Sequence, residues 1–326
     1  MRWFVDLHTH STASDGSLRP AEVIALAEAK KLLAVALTDH DTTAGLAEAK
    51  ASAGRFPHLR FIPGIEVSAA FPAGTLHILG LGIDENSPAL ANLAADLRAA
   101  RADRNPKIVA KLQAMGLKID MDDVAAQAGP WPVKAPCAST GMVSPASTNI
   151  HTVPRLTAGA TTEPPVLGRL HIARAMVARR CIRSVNEAFK RYIGRRAPAF
   201  VEKDKLPAAA VIAAIHSSGG LAALAHPPQL RYSDLAHLER ITKDLIASGM
   251  DAIEVYNSDH SDRQTRSYLQ LAQSLNLGIV GGSDFHGPIK PTVRLGRPKV
   301  SISMLANLVA DRLLGGGSMW HAHPRA

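Results

Sequence analysis

Short apolar runs alternate with segments of helical period through the first 85 residues. Alternation on this scale predicts βα units feeding a parallel or mixed sheet. Strands are expected near 2–7, 33–38, 60–66 and 75–83. One helix is expected from Pro20, whose fixed φ suits a first helical turn, and a second across 43–53. The same rhythm returns after residue 205, with helices at 207–217, 234–248, 261–275 and near 302–315 and strands at 220–225, 251–256 and 277–282. Between the two halves the texture changes. Residues 88–128 are rich in Ala, Leu, Arg and Lys at helical spacing, and 168–192 reads as one or two more basic helices, with no strand evident. The pattern is that of an α/β fold interrupted by an inserted helical subdomain. Inside the insertion, 130–166 carries seven of the chain's 21 prolines and almost no apolar periodicity, so an irregular or disordered stretch is expected there.

The chain has 326 residues, 46% hydrophobic and 20% charged, enough for a sizeable core and unlike a disordered chain. Aromatics make up only 4%, which argues against an extended nucleic-acid surface built on stacked rings. A formal charge of +9 favours anionic partners such as phosphate esters or RNA. Cys137 and Cys181 cannot build a disulfide framework, and no Cys-x-x-Cys pair offers sulfur to zinc. The first residues turn polar too early for a signal peptide, and no run approaches the ~18 apolar residues of a membrane span, so a cytoplasmic setting with no membrane is expected. No protein partner is evident.

Histidine carries the candidate chemistry. In Asp6-Leu7-His8-Thr9-His10 the strand period places His8 and His10 on one face, shared with Asp6, with room for a common ion. Asp15 follows, and Thr38-Asp39-His40-Asp41 closes the next strand. Glu66 ends the third strand and His77 lies on the fourth. Downstream, His226 ends one strand in Ala225-His226-Pro227, and Ser283-Asp284-Phe285-His286 ends another with the i, i+2 spacing of the opening pair. Imidazoles and carboxylates without sulfur suit Mn²⁺, Zn²⁺ or Fe²⁺, and a glutamate can bridge two ions. Several divalent ions in one cleft would suit a doubly negative phosphate ester.

On these residues the chain resembles the PHP (polymerase and histidinol phosphatase) family over about 1–85 and 195–300. The resemblance implies a distorted (β/α)7 barrel formed by 1–97 and 195–326, with 98–194 inserted as a helical, substrate-capping subdomain. It also implies three divalent ions, Mn²⁺ foremost, with Zn²⁺ or Fe²⁺ as alternatives. By that similarity His8, His10, Glu66 and Asp284 hold the first ion, Glu66, His77 and His226 the second, and Asp15, His40 and His286 the third. The expected nucleophile is a hydroxide bridging the first two ions. No protein nucleophile is required and the general acid is left unassigned.

Gly168-Arg169-Leu170-His171-Ile172-Ala173-Arg174 and the later Phe189-Lys190-Arg191-Tyr192 resemble the branch of the family acting on nucleotides, 3′,5′-nucleoside bisphosphate phosphatases and 5′-3′ exoribonucleases. Arg169, His171 and Arg191 are the candidates for gripping the substrate's non-reacting phosphate, since guanidinium forks match phosphate. The expected substrate is a nucleotide 3′,5′-bisphosphate or short 5′-phosphorylated RNA. A small-metabolite monophosphatase of the histidinol-phosphatase type and a non-catalytic PHP module are the alternative readings.

Overall fold

A computed structural model describes residues 3–128, 166–305 and 307–314. Along them run β1 (Phe4–Asp6), α1 (Pro20–Ala29), β2 (Ala34–Leu37), α2 (Leu46–Ala53), β3 (Arg60–Ala69), β4 (Leu76–Leu81), α3 (Pro88–Ala114) and α4 (Met121–Ala125). Then follow α5 (Arg169–Ala178), α6 (Val185–Ala188), α7 (Ala208–Ser217), β5 (Leu221–Leu224), α8 (Leu235–Ala247), β6 (Ala252–Tyr256), α9 (Asp262–Ser274), β7 (Gly278–Gly281), β8 (Val300–Ser301) and α10 (Asn307–Leu314). Local signals account for several boundaries. Asp234 accepts the His237 N–H at the start of α8, and Ser261 with Gln264 closes a capping box on α9. Leu238, Ile241, Thr242 and Leu245 give α8 one buried stripe at helical spacing.

The strands lie in the order β7-β6-β5-β4-β3-β2-β1-β8. Pairing is parallel except where β4 runs against β3 and β5, and where β8 runs against β1. The ends of the sheet meet: Leu7 N–H donates to the Gly281 carbonyl at 3.1 Å, and beyond it Asp284 N–H donates to His8 and His10 N–H to Phe285. The result is a nearly closed barrel with helices around it. Its seven-stranded wall agrees with the expected distorted (β/α)7 barrel. The reversed β4, joined to β3 by a hairpin where a crossover helix would otherwise stand, is the distortion. The two-residue β8 is the one strand the apolar pattern did not indicate.

Strand periodicity divides the barrel core in two. Ala34, Ala36, Ile62, Leu79, Leu81, Ala223, Ala252 and Val280 cluster with one another and with Val309 and Leu313 of α10, filling the barrel and sealing one end. Their strand neighbours, among them Val35, Leu37, Ile78, Ala222, Leu224, Ile253 and Ile279, pack outward against the surrounding helices. A third apolar cluster, from Ile108 and Leu112 through Ile172 and Met176 to Ile193 and Ala199, belongs to the helices between β4 and α7. The irregular stretch expected over 130–166 lies outside the described residues except for Val166.

Candidate metal centre and the cationic cleft beside it

The inward-facing parity that fills the barrel continues to its open end, where apolar side chains give way to polar ones. Glu66 lies on the Ile62 face of β3, His77 on the Leu79 face of β4, and Asp284 follows Val280 beyond β7. Glu66 is fully buried and is the hub. Its Oε1 lies 2.7 Å from His77 Nδ1 and 2.8 Å from His226 Nε2. Its Oε2 faces His40 Nδ1 at 2.9 Å, His10 Nε2 at 3.2 Å and His8 Nε2 at 3.4 Å. Asp284 Oδ1 stands 3.2 Å from His10 Nε2 and 3.5 Å from His8 Nε2, while His286 Nε2 stands 3.3 Å from Asp15. All nine sequence-derived candidates therefore meet at one end of the barrel. Ligand atoms converge in three groups: His8, His10, Glu66 and Asp284; His40, Glu66 and His77; and His10, Asp15, His40 and His286. The first has the residues of the expected set, the second has His40 where His226 was expected, with His226 instead 2.8 Å from Glu66 Oε1, and the third is the expected set with His10 added.

These atoms are close without being satisfied by one another. His8 Nε2, both ring nitrogens of His10, His40 Nδ1, His226 Nδ1 and Glu66 Oε2 are buried with no hydrogen-bond partner. Leaving one such atom orphaned costs about 1–3 kcal/mol, so a convergent set is explained by cations that the lone pairs coordinate. The donor set, imidazole and carboxylate, fits borderline divalent ions. Burial raises the Glu66 carboxyl, but the surrounding His40, His77 and His8 outweigh it and hold the group well below the usual range. Burial also pushes His77 down to about 4, so its ring is a neutral lone-pair donor at neutral pH.

A layer of carboxylates behind the ligands fixes them. Asp39 accepts from Ser11 N–H at 2.8 Å, Ser11 Oγ at 2.6 Å and Ser14 Oγ at 2.5 Å, which shapes the loop presenting Asp15. Asp6 does not join the histidines it precedes in sequence. It accepts from Ser283 N–H and Oγ and from Gly296 N–H, tying the Asp284 loop to β1. Glu254 accepts His8 Nδ1–H at 3.0 Å and the His226 backbone N–H at 2.7 Å, so one buried carboxylate orients two ligands. Sequence reasoning missed Glu254. Its signal was a single charge in the apolar strand Ala252-Ile253-Glu254-Val255-Tyr256. Asp41, His226 and Asp284 adopt positive φ of 56°, 23° and 55°, strain concentrated where these side chains must be aimed.

Beside the ligand candidates opens a cleft lined by Asp15, His40 and His77 together with Arg101, Arg104, Arg169, Arg195, Lys203 and Lys205, the acid Glu202, and the rings of Phe189 and Phe200. The Arg169 guanidinium lies over both phenyl rings, 5.9 and 5.4 Å from their centroids. His171 is buried and does not line the cleft. Burial holds its ring at about 4, and the neutral Nδ1 accepts the Gly168 N–H at the start of α5. Arg191 is on the outer side of the π-helical turn Phe189–Ile193, largely exposed and paired with Glu187 at 2.7 Å. Arg101, Arg104 and Lys203 were not singled out in the sequence.

Residues 6–118 match the PHP domain profile. The chain is 33% identical over 286 residues to a 3′,5′-nucleoside bisphosphate phosphatase of Chromobacterium violaceum, spanning 87% of each protein. The chain belongs to the PHP family. This PHP protein is also 31% identical to the 5′-3′ exoribonuclease Rnm of Escherichia coli, over 90% of its own length and 88% of the relative. Among solved structures it superimposes on a protein assigned as a metal-dependent phosphoesterase from Bifidobacterium adolescentis with a TM-score of 0.77, at 27% identity and over 97% and 98% of the two chains. It is thus a metal-dependent phosphoesterase, a hydrolase of phosphate ester bonds. No helix among the described residues is long and apolar enough to cross a membrane.

Proposed function

We propose that this PHP enzyme removes the 3′-phosphate from nucleoside 3′,5′-bisphosphates and, at the same site, releases 5′-mononucleotides from short 5′-phosphorylated RNA. The observation that carries this reading is the cleft itself, which metal-ligand candidates and six basic side chains line together. One phosphate can react while a second is held. A 3′-monoester and a 3′,5′-diester differ only in what leaves, so a single geometry serves both activities. Both activities appear among the names of the relatives.

His8, His10, Glu66 and Asp284 would hold a first ion, Glu66, His77 and His226 a second, and Asp15, His40 and His286 a third, with Mn²⁺ the leading identity. Bound there, the ions supply Lewis acidity and positive charge to the phosphoryl group under attack. The chain's own residues do the rest. Arg101, Arg169 and Lys203 orient the second phosphate, because guanidinium and ammonium groups match its oxygens. Phe189 and Phe200 exclude water beside the sugar and hold Arg169 in place. The helices of 98–194 act as the substrate-capping element, in a cytoplasmic enzyme as a chain with two cysteines suggests.

The test uses Mn²⁺-loaded protein with adenosine 3′,5′-bisphosphate and a 5′-phosphorylated RNA trinucleotide, products resolved by chromatography and Asp284→Asn as the blank. Phosphate from the first and stepwise 5′-mononucleotides from the second are expected. A preference for the bisphosphate over its 3′-monophosphate counterpart below about tenfold, ~1.4 kcal/mol, overturns the reading in favour of a small-metabolite monophosphatase.

A further inference from the structure

Asp41 belongs to neither the ligand set nor the wall of the cleft, yet it touches both. It follows His40, and its backbone N–H donates to the Glu66 carbonyl at 2.9 Å, beside the bridge that pairs His40 with Glu66. Its φ of 56° turns the carboxylate away from the ligands. The side chain is wholly buried. Oδ1 accepts the Ser68 N–H at 2.9 Å, while Oδ2 accepts from Arg101, through Nε at 2.8 Å and through Nη2, and from Lys203 Nζ at 2.6 Å. Arg101 comes from α3 and Lys203 from the segment returning to the barrel, 162 residues beyond Asp41 in the chain. One carboxylate thus gathers two cations, one from α3 and one from the segment leading back to the barrel, and fixes both beside His40.

The charge balance says what this is for. Two cations share one carboxylate oxygen, so the knot keeps a net positive charge, and it faces the cleft that His40 and His77 also line. Toward an incoming anion the Asp41 charge is itself repulsive. A group that opposes binding electrostatically yet sits where the donors converge contributes through placement. We infer that Asp41 is a positioning and specificity-determining residue: it sets the separation between the reacting phosphate and the anchored one, and so selects substrates carrying two phosphates at that spacing. This rests on the function proposed above.

Charge and placement predict opposite signs. If charge dominated, Asp41→Asn, of the same shape but neutral, would raise the local potential and lower KM for a dianionic anchor. If placement dominates, Arg101 and Lys203 repel each other, lose their common acceptor and drift, and KM rises. The experiment measures kcat and KM of wild type and Asp41→Asn with adenosine 3′,5′-bisphosphate and with p-nitrophenyl phosphate, which offers nothing to anchor, together with manganese content by mass spectrometry. The expected result is a KM for the bisphosphate higher by about tenfold or more, and a bisphosphate-to-monoester ratio of kcat/KM lower by a similar factor, with manganese retained. Arg101→Lys, which keeps the charge and loses the fork, should lower the ratio in the same direction and serves if Asp41→Asn fails to fold. A bisphosphate KM that is unchanged or lower overturns the inference. So does an equal loss on both substrates with loss of manganese, which would make Asp41 part of the metal frame. The wild-type ratio alone decides the underlying reading, since a wild type indifferent to the second phosphate has nothing for Asp41 to position.

Discussion

Replacing Glu254 by glutamine keeps the shape of a fully buried side chain and removes one acceptor. The ionised carboxylate accepts only, so His8 must donate from Nδ1 and leave Nε2, which points at Glu66 and Asp284, as its free lone pair. Glutamine offers one oxygen and one NH₂. If the oxygen takes the His226 N–H, the NH₂ confronts His8 Nδ1 and favours the tautomer with the proton on Nε2, the atom needed by the ion. If the oxygen takes His8, a donor faces the His226 N–H across a contact that now measures 2.7 Å, at a residue already held at a φ of 23°. Either way one charge-assisted hydrogen bond is lost, worth about 1.5–3 kcal/mol. Partners of this kind typically change metal affinity by about 10–100-fold, or ~1.4–2.7 kcal/mol, and the two figures agree. The assay is equilibrium dialysis against Mn²⁺ with metal content read by mass spectrometry, and a thermal melt to confirm that the variant folds. Affinity within twofold of wild type in a folded variant would refute the argument.

At Gly282 an added Cβ would stand 2.4 Å from His8 N and 2.5 Å from His8 Cβ, where the barrel closes. Gly282→Ala should therefore cost about 1–3 kcal/mol, seen as a melting temperature several degrees lower, and an unchanged melt would contradict the close approach. Burial and the neighbouring Arg101 push the Lys203 ammonium down to about 7 against the pull of Asp41, so its charge is present below that pH and fades above it. KM for the bisphosphate should then rise as pH climbs from about 7 to 9, a range in which substrate phosphates, with a second pKa near ~6, are already dianionic. A KM flat across that range sinks the idea. Arg169→Ala should raise the same KM by about tenfold or more, because it removes a guanidinium from the cleft, whereas Arg191→Ala should change it by less than about twofold, as for other exposed ion pairs. Equal effects from the two would place the phosphate elsewhere.

The ligand candidates were legible because most close or follow a strand whose apolar period is plain, while Glu66 lies within β3 and His77 stands near the start of the reversed β4, and strand ends at one mouth of a barrel must converge. His8 with His10 and Asp284 with His286 repeat one spacing, and that repetition drew attention to both. Other features left no local mark. The reversal of β4 depends on which neighbours it pairs with, not on the residues it contains. Asp41, Arg101 and Lys203 form one knot, yet helical spacing in 88–128 says only that a face is polar, not that it meets a carboxylate from β2's end. Arg191 is singled out by resemblance and by its guanidinium fork, neither of which says where the side chain points, and the π-helical turn that brings Phe189 to the cleft leaves Arg191 outside its lining. Asp6 shares strand parity with His8, but the backbone changes face between them. Val5 and Leu7 belong to the barrel's interior cluster, while His8 and His10 reach the open end.

The closure of the barrel between β1 and β7 also orders events in time. Of the ligand candidates, His8 and His10 are made before the groups that complete their surroundings, Asp284 and His286, with Asp6 and Ser283 meeting across 277 residues. A growing chain on the ribosome therefore holds an incomplete set of candidates until residue 286 has been added. Contacts this distant in sequence form late, because the loop they close is long. An enzyme that attacks phosphate esters, translated from a message built of them, lacks its full set of metal-ligand candidates until that closure has formed.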